Sequence, residues 1–361
     1  MKEIKLAVIC GGRSAEHEVS LCSAKNIVDA VDKNKYEIII LGITKAGQWQ
    51  ILPADDFLKN PNDPAKISLK KSTKVLLDQN KIVDAKSGKR IESLDIAFPI
   101  LHGTFGEDGT MQGLLKINNI PFVGADVLGS AVGMDKVVMK KLLRDAKYPI
   151  AKFLSYKIID RKNIDFDNIK KTLGLPFYVK PANTGSSIGV HKVKSQIEFE
   201  KNVADAFKFD NKIIFEENIE GREIECSVLG NDNSIASLPG EVITSHEFYS
   251  YEAKYLDENG SRTEIPAKIS KSVTIKIQKL AIEVFKTLEC SGMARVDFFL
   301  QKNGRIVVNE INTIPGFTKI SMYPKLWEAS GISYSELIDR LIKLAVDKYK
   351  SEKDILTEYR N

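Results

Sequence analysis

The sequence predicts an α/β chain, α+β in part, with an N-terminal parallel-sheet domain followed by two α+β domains. Three observations carry this expectation. Over the first hundred or so residues, short apolar runs alternate with helical stretches, the pattern of a parallel sheet with helices on its faces. From about residue 150 the register changes to closely spaced strands with one clear helix, so the middle of the chain reads as β-rich. The 361 residues, at roughly 150 per domain, make two or three domains with cores that need no metal or disulfide staple. Boundaries are expected near residues 130 and 230, giving segments 1–130, 131–229 and 230–361.

Lys5–Cys10 is an apolar run closed by Gly11-Gly12, hence a buried first strand and a turn, and Ala15–Val31 is a helix. The turn places backbone N–H groups at a helix N-terminus, where anions bind. Tyr36–Ile43, rich in β-branched residues, is a second strand. Ile67–Lys89 reads as short strands and turns, with Ser87-Gly88 as a hairpin signal, and Asp95–Leu101 as another strand. Met111–Asn119 is a helix closed by Pro121, and Ser130–Ala146 a second that ends before Pro149. Strands are expected at Phe153–Asp160, Phe177–Lys180, Ser187–Val193, Lys212–Glu217, Glu223–Leu229 and Ser234–Val242, with a helix at Ile197–Phe207. Ser270–Leu288 is helical. Arg295–Leu300 and Arg305–Asn309 pair across Asn303-Gly304. Ser333–Lys350 closes the chain as a helix with apolar positions 337, 338, 341, 342, 344 and 345.

Composition excludes several classes. A hydrophobic fraction of 43% with 28% charged residues is that of a soluble globular protein, not of a collagen-like, low-complexity or disordered chain. No apolar run approaches the ~18 residues of a membrane span. Leu6–Cys10 is too short for a signal-peptide core, so a cytoplasmic protein without a membrane partner is expected. Cys10, Cys22, Cys226 and Cys290 lie far apart without a CxxC pair, which argues against zinc and disulfides. The net charge of +5 comes from 53 basic and 48 acidic residues that are well mixed. A nucleic-acid partner would call for a basic stripe. The small group Lys70, Lys71 and Lys74 reads as solvated surface.

Two motifs carry chemistry. In Tyr178–Lys180 a strand ends at a lysine, and Ala182-Asn183-Thr184-Gly185-Ser186-Ser187-Ile188-Gly189 follows. Small residues let backbone N–H groups approach a phosphate, the serines add hydroxyl donors, and Lys180 adds a point charge. It is neither a Walker A motif nor a GxGxxG fingerprint, and a plain hairpin loop is the other reading. The second motif is Arg295-Val296-Asp297 followed by Glu310-Ile311-Asn312. Strand alternation puts Arg295 and Asp297 on one face, and Glu310 and Asn312 on one face. Pairing across Asn303-Gly304 makes the acids converge. Oxygen ligands of this kind suit magnesium bridging nucleotide phosphates, while a salt bridge of the acids to Arg295 is the alternative.

These two motifs occur in the same order in the ATP-grasp superfamily. Further segments resemble the D-alanine–D-alanine ligase family: Ala15-Glu16-His17-Glu18-Val19-Ser20, Leu101-His102-Gly103, Gly106-Glu107-Asp108-Gly109-Thr110, Met134-Asp135-Lys136, Glu252-Ala253-Lys254-Tyr255 and Asn312–Thr318. The resemblance runs from about residue 4 to 347. It implies a three-domain ATP-grasp architecture whose last two domains sandwich ATP. It implies ATP-dependent joining of two D-alanine molecules through a D-alanyl phosphate, for peptidoglycan, by a cytoplasmic homodimer. Two magnesium ions, replaceable by manganese, would be held by Asp297, Glu310 and Asn312, with Glu310 bridging.

The same resemblance assigns roles residue by residue. Glu16 matches the group that holds the first D-alanine's ammonium; on its own it reads as a favourable first-turn acid. Ser186 and Tyr255 match hydroxyls that connect with it. His102 matches a substrate-proximal position, orienting the first carboxylate or moving a proton. Lys136, Lys180, Ser186 and Ser187 match the grip on the ATP phosphates, and Lys254 lies near the γ-phosphate and the second carboxylate. Glu216, Glu217 and Ile219 match the adenine hinge, and Glu223 the acid that binds the ribose hydroxyls. Arg295 and the Gly316 N–H match the oxyanion-stabilising pair. Ser321 and the Met322 backbone match the receptor of the second carboxylate. Ile243–Arg262 is expected to be a mobile loop that closes over the site, and its Tyr255 points to an amine as nucleophile. The competing readings are a relative that takes D-lactate or D-serine, and a nucleotide-binding sensor without ligase activity. An oxidoreductase built on the Val8–Gly12 turn is disfavoured because the glycine fingerprint is missing.

Overall fold

The computed structural model describes residues 3–244, 261–353 and 355. At its N-terminal end, Ile4–Gly11 lies between the parallel strands Tyr36–Ile43 and Ile96–Pro99. Leu6 to Cys10 are fully buried, as an uninterrupted apolar run requires of a strand covered on both faces. Beyond Tyr36–Ile43 the sheet continues antiparallel through Trp49–Leu52, Thr73–Asp78, Lys81–Asp84 and Arg90–Ser93. The expected parallel sheet is therefore a parallel core with an antiparallel wing. The hairpin at Ser87-Gly88 forms the wing's last turn, with Gly88 at φ +67°. Helices His17–Ala30 and Tyr334–Lys353 share one core with this sheet: Leu337, Ile338, Leu341 and Ile342 pack with Leu6, Val8, Leu21 and Phe98. The last helix of the chain thus closes the first domain.

The second sheet is antiparallel, in the order Phe153–Lys157, Lys212–Glu217, Phe177–Pro181, His191–Val193. Phe166, Phe177, Phe199 and Phe215 form its core beneath two helices. Gln196–Ala206 is one of them. The other, Phe166–Leu173, lies in a stretch where the sequence predicts mainly strands. Its signal is short: Asp165 caps the Asn168 N–H at 2.8 Å, and Phe166, Ile169 and Leu173 make a single apolar stripe. The expected strand Phe153–Asp160 stops at Lys157 and passes into a 3₁₀ turn, and Ser187–Val193 is a strand only from His191.

In the third sheet, Arg222–Gly230 lies between Gly240–Thr244 and Gly292–Leu300, with Ile306–Asn312 and Ser261–Glu264 at the two ends. Arg222–Gly230 pairs along its whole length with Gly292–Leu300. The strand lies in the C-terminal sheet although the expected segment 131–229 contains nearly all of it, and the charged link with Glu220 and Gly221 leads into it from Lys212–Glu217 of the second sheet. Ser234–Val242 is two strands, Ile235–Ala236 and Gly240–Thr244, separated at Pro239. The expected single helix Ser130–Ala146 is also two, Val127–Met134 and Lys136–Asp145. Asp135 is extended and accepts from the Val137 and Val138 N–H groups, so an N-cap, rather than glycine or proline, restarts the helix.

Candidate active site

That restart matters because it places Lys136 at the first position of a helix facing the phosphate loop. The Lys136 N–H donates to the Ala182 carbonyl at 3.0 Å. Its Nζ donates to the Thr184 carbonyl at 2.6 Å and lies 3.7 Å from Glu310 Oε2. One side chain therefore touches both chemical motifs. In the loop, Ser186 and Ser187 sit at φ +49° and +60°. Non-glycine residues occupy this region at a cost of order 1 kcal/mol, and such strain clusters at binding sites.

Lys136, Lys180, Ser186, Ser187, Glu216, Glu217, Ile219, Glu223 and Glu310 all line one cleft of about 460 Å³ between the second and third sheets. The residues expected to meet ATP, Lys254 apart, thus share this cleft. Glu216 is buried, and its carboxylate faces the lysines rather than only the hinge. Lys180 Nζ lies 2.6 Å from Oε2 and Lys140 Nζ 2.7 Å from Oε1. Burial favours the neutral acid, but the two ammonium groups outweigh it and hold the Glu216 pKa down at about 2. Lys140 was not singled out. Its signal was available, since it sits one helical turn after Lys136 on the face that carries buried Val137, Met139 and Leu143. Glu217 lines the same cleft, and its Oε1 accepts the Lys152 N–H at 2.8 Å.

The carboxylate motif assembles across the Asn303-Gly304 hairpin, with a register shift between Asp297 and Phe298. Gly292–Leu300 and Ile306–Asn312 pair with Asp297 opposite Glu310 and Arg295 opposite Asn312. Arg295 forks onto Asp297, with Nε and one terminal nitrogen each donating at 2.8 Å, and Nε also lies 2.8 Å from Glu225 Oε2. Asn312 Nδ2 donates to Asp297 Oδ2 at 3.0 Å. The salt bridge considered as the alternative to a metal is therefore part of the same cluster. The donor set fits magnesium: two carboxylates and an amide, all oxygen ligands, with Glu310 on the wall of a cleft lined by lysines and Asp297 and Asn312 beside it on the paired strands. Among the described residues, no group of three or more His, Cys, Asp or Glu is placed to hold a metal ion by itself.

On the side of the first domain, Glu16 is buried just ahead of helix His17–Ala30 and accepts a hydrogen bond from Ser186 Oγ, which lines the cleft. Two glycines let the backbone approach this carboxylate. A Cβ on Gly103 would lie 2.7 Å from Glu16 Oε2, and one on Gly185 3.0 Å. The model of the D-ala D-ala ligase N-terminus matches residues 5–125, and that of the D-ala D-ala ligase C-terminus matches residues 142–343. The chain belongs to the D-alanine–D-alanine ligase family. It is 52% identical to the D-alanine–D-alanine ligase of Oceanobacillus iheyensis over 97% of both chains. It is 50% identical to D-alanine–D-alanine ligase A of Salmonella typhimurium, over 99% of this chain and 100% of that one. Among solved structures, the D-alanine–D-alanine ligase from Coxiella burnetii superposes with a TM-score of 0.85 at 41% identity, covering 97% of each chain. The VanG D-Ala:D-Ser ligase from Enterococcus faecalis does so at 0.84 and 37%, covering 95% of this chain and all of that one.

The remaining positions that match this ligase family surround the segment 312–322. A Cβ on Gly316 would lie 2.8 Å from Ser321 Oγ, which itself accepts the Thr318 N–H at 3.0 Å and shares a hydrogen bond with Thr318 Oγ1 at 2.7 Å. Met322 starts helix Met322–Ala329, and its side chain packs with Val242 and Leu326. His102 is buried with both ring nitrogens engaged, Nδ1 with the Ile314 carbonyl at 3.1 Å and Nε2 with Ser23 Oγ at 3.2 Å. Burial pushes its pKa down to about 4. This geometry favours holding the segment over moving a proton. Glu107, absent from the sequence-based set, accepts the Gly103 N–H at 2.6 Å and faces the Ile314 N–H. Burial and the neighbouring Glu16 push its pKa up. Lys254, Tyr255 and most of the expected loop Ile243–Arg262 lie outside the described residues.

Proposed function

We propose that this protein joins two D-alanine molecules into D-alanyl-D-alanine, with ATP hydrolysed to ADP and phosphate. The observation that carries the reading is the Ser186–Glu16 hydrogen bond, because it brings the phosphate loop to the carboxylate suited to an amino acid's ammonium. An α-amino acid held by Glu16 extends its own carboxylate toward the loop and toward Lys136 and Lys180. A carboxylate oxygen attacks the γ-phosphorus, ADP leaves, and an acyl phosphate forms. Lys136 and Lys180 stabilise charge on the transferring group, a step that rests on positioning and electrostatics. When bound at Asp297, Glu310 and Asn312, magnesium or manganese supplies further neutralisation of phosphate charge.

The second D-alanine, its carboxylate received at Ser321 and the Met322 N–H, attacks the acyl carbon with its amine. Negative charge then develops on the acyl oxygen. Arg295 and the Gly316 N–H are donors fixed beforehand at that end of the site, and one such donor is typically worth ~2.7–4 kcal/mol. Collapse expels phosphate, which carries away one oxygen of the first carboxylate. Glu223 and Ile219 at the far end of the cleft suit ribose and adenine.

A ligase that draws on ATP and free amino acids belongs in the cytoplasm, and the reading carries with it a homodimer that feeds peptidoglycan precursor synthesis. No described helix is long and apolar enough to cross a membrane. Product identification by mass tests the reading, with D-alanine alone and with D-serine or D-lactate added. Dipeptide from D-alanine alone is the expected result. Turnover only with D-serine or D-lactate would contradict it.

A further inference from the structure

The first domain grips the segment that carries Gly316 through side chains with no other evident task. The Phe317 N–H donates to Ser23 Oγ at 3.2 Å, and Ser23 Oγ lies 3.2 Å from His102 Nε2. His102 Nδ1 meets the Ile314 carbonyl at 3.1 Å. The proton positions follow. A carbonyl only accepts, so Nδ1 carries the hydrogen and Nε2 is left as an acceptor. The Ser23 hydroxyl therefore donates to Nε2 and accepts from Phe317. Ser23 and Phe317 are fully sealed, and Ile314 and His102 nearly so, which leaves no water to take over a lost bond. Two bonds from the first domain thus bracket the Pro315-Gly316 peptide, one on each side.

We propose that Ser23 is a positioning residue for the ligation step: through the Phe317 N–H and His102 it holds the Ile314–Phe317 segment so that the Gly316 N–H meets the developing oxyanion. The inference rests on the function proposed above. It separates two chemical steps. Phosphoryl transfer to the first D-alanine does not use the Gly316 donor, whereas attack of the second amine does. A segment that has lost its register should therefore still make acyl phosphate but join it slowly. Water then converts D-alanyl phosphate to D-alanine and phosphate, and ADP is released without dipeptide.

The test compares ADP with dipeptide in the full-length protein supplied with ATP, magnesium and D-alanine. The wild type is expected to give one dipeptide per ADP. Ser23→Ala is expected to make dipeptide about 10-fold more slowly, given that a misplacement near 1 Å costs about 100-fold. It should release more than one ADP per dipeptide, with KM for ATP within about twofold of the wild type. Ser23→Cys fills the same space with a weaker hydrogen-bonding group, so it decides the matter should the alanine variant fail to fold, and it too should uncouple. Ser23→Thr, which restores a hydroxyl, should bring the ratio back toward one. Folded Ala or Cys variants with a ratio of one and wild-type kcat would overturn the proposal. A wild type that makes no dipeptide would overturn the underlying functional reading instead.

Discussion

Lys140 Nζ lies 2.7 Å from Glu216 Oε1, with the two side chains 1% and 4% exposed. The other oxygen of the same carboxylate holds Lys180 at 2.6 Å. Lys140 also donates to the Asn309 carbonyl at 3.2 Å, on the strand that carries Glu310. A single buried anion therefore fixes a lysine on the wall of the cleft, and its second partner ties the helix of Lys136 to the strand that carries Glu310.

Glu216→Gln leaves Lys140 charged and buried without a counter-ion. Breaking one partner of a buried pair costs about 3–5 kcal/mol. Urea unfolding should show a loss of that order, and KM for ATP should rise severalfold because Lys180 is no longer held. An unfolding midpoint equal to wild type would contradict this account of the pair.

The same pair predicts a pH dependence. The free Glu216 carboxyl titrates near 4.5 and the folded one near 2. As pH falls, the unfolded chain takes up the proton first, so acid favours unfolding. The stabilisation is complete above the range near 4.5 and is lost progressively as pH falls from 4.5 to about 2. Urea midpoints of wild type and Glu216→Gln, measured from pH 7 down to 3, should converge at the acid end. Parallel curves would contradict the prediction.

Glu310→Gln removes a carboxylate opposite Asp297 while preserving its shape. The side chain is 28% exposed, so stability should change little. Turnover should fall by about 100-fold or more, and the magnesium concentration needed for half-maximal activity should rise. An unchanged metal dependence would remove Glu310 from the ligand set.

Gly103→Ala addresses the first amino-acid site. Gly103 has φ +72°, and its missing Cβ would sit 2.7 Å from Glu16 Oε2. Alanine there is strained and displaces the carboxylate. KM for the first D-alanine should rise about 10-fold or more, with KM for ATP nearly unchanged. Equal changes in both constants would mean that Glu16 does not act separately on the amino acid.

Much of the site was legible because its chemistry follows local rules. Tyr36–Ile43 and Lys212–Glu217 form with the expected limits. Strand alternation puts Arg295 with Asp297 and Glu310 with Asn312, but a register shift between Asp297 and Phe298, which no local signal marks, is what sets Asp297 opposite Glu310 rather than Asn309. What escaped depends on partners far away in the chain. Arg222–Gly230 looks like any strand of the middle section until it meets Gly292–Leu300. His102 reaches Ile314, 212 residues on, and Phe317 reaches back 294 residues to Ser23. Lys140 passes for surface lysine unless the apolar face of its helix is read with Lys136. The break at Asp135 has only a capping side chain as its signal.

In the proposed reaction the cleft activates the carboxylate of D-alanine by phosphorylating it. The most direct measurement uses D-alanine labelled with oxygen-18 in both carboxylate positions, incubated with ATP and magnesium, followed by mass analysis of the products. The account predicts that each phosphate released alongside a dipeptide carries one labelled oxygen, because that oxygen leaves with phosphorus when the amine attacks. Dipeptide formed together with unlabelled phosphate would show that the carboxylate was never phosphorylated, and would contradict the account.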